Sequence, residues 1–451
     1  APMTRPAGAN DTMTARIAVF TRLPRPGQSK TRLIPALGTD GAALLQRRMT
    51  MHCLTSCRRF ATQSNGPQLE VRFTDSSRNE TRRWLGSDLK YSHQGGGNLG
   101  ERLTQAFDDA FRDGVQKMVV IGTDCPSLKT GLLEDALNAL DQDDIVLGPA
   151  ADGGYYLIGL RARVQSVSWA QLFGIDWGSE RVMKQTLEQA RGAHLKIAQL
   201  ETLPDIDRPE DLPEWKKIEN QTAHAPESRL AVIIPTRNEE KNAARIVKEA
   251  KAAVGTDVYV VDGGSTDNTK NVAAEAGATV LASPPGRARQ MNLGAQATSA
   301  PFLFFTHADS QLPEACDAYI RYFLQIDGIS AGAFQFQTDN PAYKYRILAK
   351  LANWRSRILH RPYGDQGLFL TRSTFEALGG FPEQPLMEDF EFVRRLRRRG
   401  RIAIAPVPLI TSARRWEKLG LVRTTLRNLK IIAAYKAGVS PERLAAWYRR
   451  D

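Results

Sequence analysis

One order of parts occurs twice along this chain, and it constrains the fold more than any other feature. "RIAVFTR" (16–22) and "LAVIIPTR" (230–237) read as short apolar strands. Each is followed by a helical stretch, "GAALLQRRMTMHCLTSCRRF" or "EEKNAARIVKEAKAAV". A second strand comes next, "LEVRFTD" (69–75) or "DVYVVDGG" (257–264). Then an apolar run stops on an acid: "KMVVIGTDCPSL" leads to Asp124, and "FLFFTHAD" leads to Asp309. Further on, a Gly/Asp turn feeds another strand, "ADGGYYLIGL" (151–160) or "GDQGLFLTR" (364–372). Apolar strands alternating with helices predict a mostly parallel α/β sheet. In such sheets ligands sit beyond the carboxyl ends of the strands, where the strand order switches. Asp124 and Asp309 both belong to that edge. A carboxylate there is suited to a hard cation that bridges phosphate oxygens. The competing role is to cap the turn that follows.

At 451 residues the chain is too long for one hydrophobic core. The repeat divides it into domains over 14–215 and 230–451, joined by a linker over 216–229, "KKIENQTAHAPESR". That segment is polar and carries a proline. Residues 1–13 are expected to be a disordered leader, with Met13 as a natural start; they contain no apolar core of a secretory signal. With 42% hydrophobic and 24% charged residues the composition is that of a globular protein. No apolar run approaches the roughly 18 residues of a membrane span. Four cysteines are too few for a disulfide framework, so a reducing cytoplasm is expected. Cys53 and Cys57 share a helix face and read as small buried residues rather than a metal pair. The net charge of +12 favours an anionic partner: nucleic acid, a phosphate-rich small molecule or an anionic membrane face. Nucleic acid is the remote alternative, because no binding motif is present and aromatics do not cluster among the basic residues. The oligomeric state stays open.

Some residues of the C-terminal half carry chemistry on their own terms. In "VDGGSTD" a strand delivers Asp262 to a turn whose glycines let backbone approach a flat ligand closely. "GRARQMNLG" offers Arg287 and Arg289 as forks for phosphate. "LMEDFEF" places Glu388 and Asp389 just before a helix, where the dipole favours carboxylates whatever their function.

"IIPTRNEE", "VVDGGSTDNT", "PGRARQMNLGA", "FTHADSQLP", "GDQGLFLTR", "PLMEDFEFVRRLRRRG" and "TSARRWEKLG" together resemble family 2 glycosyltransferases of the GT-A fold, over about 230 to 420. The resemblance is to members associated with radical-SAM/selenodomain and arsenosugar clusters. It implies that Asp262 holds a nucleoside, with Pro235, Thr236 and Glu239 lining the same pocket. It implies that Asp309 binds a divalent cation, Mg²⁺ or Mn²⁺, on the diphosphate of a nucleotide sugar. His307 replaces the first acid of the family's Asp-x-Asp and becomes a second-sphere donor or a weak ligand. The acid pair becomes the site of the catalytic base of an inverting transfer, Asp389 ahead of Glu388. Asp365 lines the acceptor side, and Arg414, Arg415 and Trp416 close over the diphosphate. The acceptor class is a small molecule or a lipid.

In the N-terminal half, "RLPRPGQSKTRL" is a Pro/Gly loop ending in Lys30-Thr31-Arg32, without the Walker spacing. With "GTDCPSL", "GPAADGGYYLIGL", "LFGIDWGSERV" and "DIDRPEDL" it resembles an uncharacterised GT-A-like transferase family, over about 15 to 213. It is more distantly similar to guanylyltransferases of deazaflavin and molybdenum cofactor synthesis. That likeness implies nucleotidyl or glycosyl transfer, with a nucleoside triphosphate as a candidate substrate. Lys30 and Arg32 would neutralise phosphates, and Asp124 and Asp152 would hold a divalent ion. Asp205 is a further acid, and Asp207 is expected to cap the helix near "PEDL". The fold expected is therefore α/β, two GT-A-like nucleotide-diphospho-sugar transferase domains in tandem. The function expected is a bifunctional transferase; in the alternatives the N-terminal half makes the activated donor or is an inactive scaffold.

The basic run "RRLRRRGR" (394–401) reads as a solvated or membrane-facing surface. In "LRNLKIIAAYKAG", Leu426, Leu429, Ile432 and Ala433 recur at helical spacing among basic residues. Such a stripe is expected to pack on its own domain, with peripheral docking at the inner face of the membrane as the alternative.

Overall fold

The first sheet has seven strands in the order β3-β2-β1-β4-β6-β5-β7. They are β1 (Ala15–Arg22), β2 (Gln68–Thr74), β3 (Lys90–His93), β4 (Lys117–Ile121), β5 (Ile145–Pro149), β6 (Tyr155–Arg161) and β7 (Ile197–Gln199). This computed structural model describes residues 14–63, 66–86 and 88–450; the side chains of residues 165, 166, 170, 415, 449 and 450 also fall outside it. The leader expected over 1–13 lies outside the described residues. Every pair in the sheet is parallel except those made by β6, which runs antiparallel to both β4 and β5.

The second sheet repeats the plan as β10-β9-β8-β11-β13-β12-β14. Its strands are β8 (Leu230–Thr236), β9 (Thr256–Asp262), β10 (Thr279–Ala282), β11 (Phe302–Phe305), β12 (Ile329–Thr338), β13 (Leu368–Thr371) and β14 (Arg401–Thr411). Here β13 is the single reversed strand. The chain separates into two compact units at Ile218/Glu219. Both are mixed α/β sheets of mostly parallel strands.

Burial accounts for the strand sequences. Phe302 to Phe305 are all buried, and Phe304 meets Phe334 and Phe369 edge-on at 5.5 and 6.5 Å between ring centres. Each such aromatic contributes about 2–3 kcal/mol by leaving water. The first sheet differs in burying charge. Arg16, Glu70 and Arg72 are all enclosed, with Glu70 ion-paired to both arginines at 3.5 and 3.2 Å. Asp109 and Asp113, at the end of the Leu99–Arg112 helix, complete the set. Charges buried this way persist because they are paired.

The segment expected as a linker contains the boundary between the units and is mostly helical: one helix runs Leu212–His224 and a short 3₁₀ turn covers Pro226–Ser228. Its apolar period begins before residue 216, which hid it from the sequence reading. Leu212, Trp215 and Ile218 pack with Leu33, Ala42, Leu45, Met49 and Ile206.

The stripe expected on the C-terminal helix divides. That helix, Leu421–Lys436, packs inward through Thr424 and Ile431, while Leu426 and Leu429 are 60% and 56% exposed. A second apolar row stands on the outer face of the Tyr343–Leu359 helix: Tyr343, Ile347, Leu351, Trp354 and Ile358. Among the described residues no helix is long and apolar enough to cross a membrane.

Trp215→Ala is expected to cost about 3–5 kcal/mol, because the space left under the Leu212–His224 helix cannot collapse. Amide exchange in the Ile34–Ala61 helix should quicken while β8 to β14 exchange as before; unchanged exchange in Ile34–Ala61 would refute the anchor.

Candidate active site

In the second unit the chain runs β8, β9, β10 toward one edge and returns to place β11 on the other side of β8. That makes the gap between β8 and β11 the switch point, where strand carboxyl ends leave a crevice. β13 is antiparallel, so the residues before it arrive at the same edge. A cavity of about 460 Å³ opens there. Pro235 and Thr236 come from the end of β8, His307 and Asp309 follow β11, Gly364 and Asp365 precede β13, and Thr411 and Ser412 end β14. Glu239, Arg287, Glu388, Asp389 and Trp416 complete the expected residues in its wall.

The acid pair is set by an unusual backbone. Met387, which opens the Glu388–Arg399 helix, has φ 70°, a left-handed conformation that costs a non-glycine residue about 1–3 kcal/mol. It is held there by packing with Ile431 and Leu444 of the two C-terminal helices. The carboxylates then differ. Glu388 is buried and ion-paired to Arg287 at 3.4 Å; burial and the neighbouring Asp389 raise its pKa. Asp389 is half-buried, and its Oδ2 accepts the Gly364 N–H at 3.0 Å. Burial pushes Asp365 up to about 6, with Asp389 adding and Arg355 opposing.

Burial, helped by the Arg287 charge, drives His307 down to about 3, so its imidazole is neutral at physiological pH. Among the described residues no three His, Cys, Asp or Glu side chains gather into a metal cage. One carboxylate and one neutral imidazole nevertheless suit a cation that takes most of its oxygens from phosphate and water.

Other expected residues stand apart from the cavity. Asp262 turns its carboxylate into its own loop, accepting N–H bonds from Gly264 at 3.1 Å and Ser265 at 3.0 Å. Arg289 is ion-paired with Glu383 at 3.1 Å on the surface. Arg414 lies 3.7 Å from Glu239 and is largely exposed, and the Arg415 side chain lies outside the described residues. Trp416 reaches the cavity and meets Phe336 edge-on at 5.8 Å.

Sequence reasoning missed several wall residues. Gln290 is buried and donates to the Thr236 and Val261 carbonyls at 2.8 and 2.7 Å, tying the ends of β8 and β9 together. Its place in "RARQMN" was readable, but its role was not. Tyr363 lies beneath the Arg355 guanidinium, 3.6 Å from ring centre to carbon. Asn428 and Tyr448 come from the C-terminal helices, beyond every motif, beside Ile432 of the expected stripe.

The first unit places Asp124 after β4 and Asp152 before the reversed β6, the topological counterparts of Asp309 and Asp365. Asp124, Asp205 and Asp152 lie close enough to raise the pKa of Cys125, whose burial is the larger cause. Lys30 differs from expectation. It is buried in a left-handed conformation, donating to the Ile206 carbonyl at 2.6 Å and pairing with Asp124 at 2.8 Å. Arg32 is paired with Asp207. Asp207 does not cap the helix as expected: Asp211 accepts the N–H groups of residues 207 and 208 at 3.0 and 2.7 Å.

The fold defines an α/β protein of two units built on the same strand order, the second of which carries the cavity. Residues 231–375 match the family described as glycosyl transferase family 2, and residues 59–179 match an uncharacterized protein family conserved in bacteria, DUF2064. The chain thus joins a DUF2064 domain to a family 2 glycosyl transferase domain. It is 46% identical to the protein RfbJ of Shigella flexneri over 56 residues, 12% of this chain and 43% of that protein. A Desulfovibrio desulfuricans G20 structure described as a nucleotide-diphospho-sugar transferase is 34% identical, covering 46% of this chain and 88% of that one, with a TM-score of 0.42. The mannosyltransferase PcManGT from Pyrobaculum calidifontis, solved with GDP-Man and Mn²⁺, is 19% identical over 51% of this chain and 73% of that one, with a TM-score of 0.36.

Gly364 lies against the acid and the imidazole. A Cβ there would stand 3.0 Å from Asp389 Oδ2 and 3.4 Å from His307 Nε2. Gly364→Ala is therefore expected to lower stability by about 1–3 kcal/mol through overpacking. Denaturant unfolding checks it, and a variant as stable as the parent contradicts this packing.

Proposed function

We propose that the C-terminal unit is an inverting glycosyltransferase that moves a sugar from a nucleotide-sugar donor to a small-molecule or lipid acceptor. One observation carries the reading: Asp309, His307, Asp365, Asp389, Arg287 and Glu239 converge on a single cavity at the switch point of a family 2 domain. Its volume of about 460 Å³ falls within the range of ligand sites.

In this reading Asp389 is the base. It is the more open of the two carboxylates, and the Gly364 N–H orients it. It takes the proton of the acceptor hydroxyl as that oxygen bonds to the anomeric carbon from the face opposite the leaving group. The bond from that carbon to the diphosphate breaks, and the nucleoside diphosphate departs. Glu388 holds Arg287 at the cavity wall, where the guanidinium meets phosphate oxygens. Asp309 and His307 are the residues that would hold a divalent cation, Mg²⁺ or Mn²⁺, which when bound supplies charge neutralisation on the leaving diphosphate. Arg414, beside Glu239, and Trp416 flank the donor side. Asp262 and Arg289 would join the donor only by leaving their present partners.

For the N-terminal unit we infer a nucleotide-dependent transfer at the equivalent edge, where the charges of Asp124, Asp205 and Asp152 all act on the buried Cys125. Lys30 is already paired there, so it positions Asp124 in addition to any contact with phosphate. Product formation from nucleoside triphosphates with Mg²⁺, lost in Asp124→Asn, tests this; no turnover of any triphosphate leaves this unit a scaffold.

Asp309→Ala should abolish transfer and weaken nucleotide-sugar binding in the presence of Mn²⁺. Normal turnover by that variant would overturn the cation assignment. His307→Ala should lose less, because a neutral imidazole holds a hard cation less firmly than a carboxylate does.

Asp389→Asn keeps the shape of the base and removes its basicity. Its kcat should fall about a hundredfold with donor affinity nearly unchanged. If Glu388→Gln shows that pattern instead, the roles within the pair are exchanged.

A further inference from the structure

Beside the main cavity lies a second, of about 170 Å³, lined by Arg361, Arg394, Arg397 and Lys436 with Tyr363, Phe390, Val393 and Tyr435. Three elements build it. Phe390, Val393, Arg394 and Arg397 recur at helical spacing on one face of the Glu388–Arg399 helix. Arg361 and Tyr363 come from the turn before β13, and Tyr435 and Lys436 end the Leu421–Lys436 helix. Phe390 and Tyr435 meet edge-on at 5.7 Å and form an aromatic side wall.

The charge here is not balanced. Glu391 pairs with Arg394 at 2.9 Å and with Arg395 at 3.4 Å. Among the described residues no acid comes within ion-pair distance of Arg361, Arg397 or Lys436. Arg397, though largely exposed, is held below the usual guanidinium range by partial desolvation first and then by the charge of Arg361, so two cations face each other across the mouth of the pocket. Like charges placed together against aromatic walls cost stability unless an anion joins them. An arginine fork matches a phosphate bidentately.

Position gives the anion its role. Tyr363 and Phe390 line both cavities, so the basic pocket adjoins the wall that carries Asp365 and Asp389. The charges of Asp389 and Asp365 and that of Arg361 all act on the Tyr363 hydroxyl, from the main cavity and from the basic pocket. The donor diphosphate has its own partners, Arg287, Asp309 and His307, so a second anion here belongs to the other substrate.

We propose that Arg361, Arg394, Arg397 and Lys436 form a subsite for a phosphate-monoester group on the acceptor. The subsite as an anion site stands on its own geometry; its assignment to the acceptor rests on the glycosyltransferase reading. The phosphate could arrive on a soluble ester or on a lipid. The apolar row on the Tyr343–Leu359 helix, which leads directly into Arg361, makes the lipid source worth a separate arm.

The test uses the full chain and the double variant Arg361→Gln/Arg397→Gln, with circular dichroism melting as the control for folding. Inorganic phosphate and phenyl phosphate are titrated calorimetrically. Vesicles of phosphatidylcholine, with and without phosphatidic acid, are co-sedimented with the protein, with and without competing phosphate. Saturable binding of the free esters, weakened about tenfold or more per arginine in the variant, supports the subsite with a soluble source. Binding of the phosphatidic-acid vesicles alone, lost in the variant, supports it with a lipid source. Equal binding by parent and variant in every arm, or no binding by the parent, overturns it. Turnover is measured apart, as nucleoside diphosphate released from a panel of donors. Phosphate binding without turnover refutes the transferase reading and leaves the anion subsite standing.

Discussion

The structure turns on where β11 stops. Phe302 to Phe305 can be buried only if the backbone behind them is paired on both sides, to β8 in parallel and to β13 in antiparallel register. Pairing ends at Phe305, and the next side chains must face the crevice opened by the switch in strand order. His307 and Asp309 are therefore delivered by the same apolar burial that stabilises the sheet. The reversed β13 brings Asp365 to the same edge from the opposite direction. All three stand in short turns directly at the strand ends, so the sheet fixes where they are delivered.

The two units show how one scaffold carries different electrostatics. Asp124 and Asp309 hold equivalent places, yet a buried Lys30 pairs with Asp124, while on the Asp309 side Arg245 donates to the flanking Ala308 and Ser310 carbonyls and Arg287 is tied to Glu388. Burying the Lys30 ammonium is tolerated because Ile206 and Asp124 satisfy it. That pairing suits a site that must hold an acid in place, rather than one that offers a free cation to a ligand.

Much of this was legible because it rests on local rules. Alternating apolar strands and helices gave both sheets, and the acid-terminated strands marked the edge where the cavity opens, since burial and turn chemistry act over a few residues. Cys53 and Cys57 are buried, as their spacing on an apolar helix face indicated. The misreadings come from distant partners. Nothing near Asp207 in sequence announces Arg32, and nothing near Lys30 announces the Ile206 carbonyl. The polar segment after 215 became helix because Trp215, just outside it, found Met49 and Leu33. Of the stripe read as facing inward, Ile432 packs beside Ile431 as expected, while Leu426 and Leu429 stand exposed.

The C-terminal helices matter to the site for a reason no motif contains. A left-handed Met387 is unfavourable by itself, and a free chain would relax it toward the helix that follows. Ile431 and Leu444 enclose its side chain, and relaxing the backbone would forfeit that burial. The strain is thus offset by packing some 40 to 60 residues away in sequence. With Met387 fixed, Glu388 turns to Arg287 and Asp389 turns to Gly364, so the two adjacent carboxylates point to different partners. A paired inner acid and an open outer acid follow from that division, and the same helices then close the wall through Asn428 and Tyr448. The open carboxylate of Asp389 and the boundary of the cavity are in this sense one feature, built by apolar contacts with the C-terminal helices.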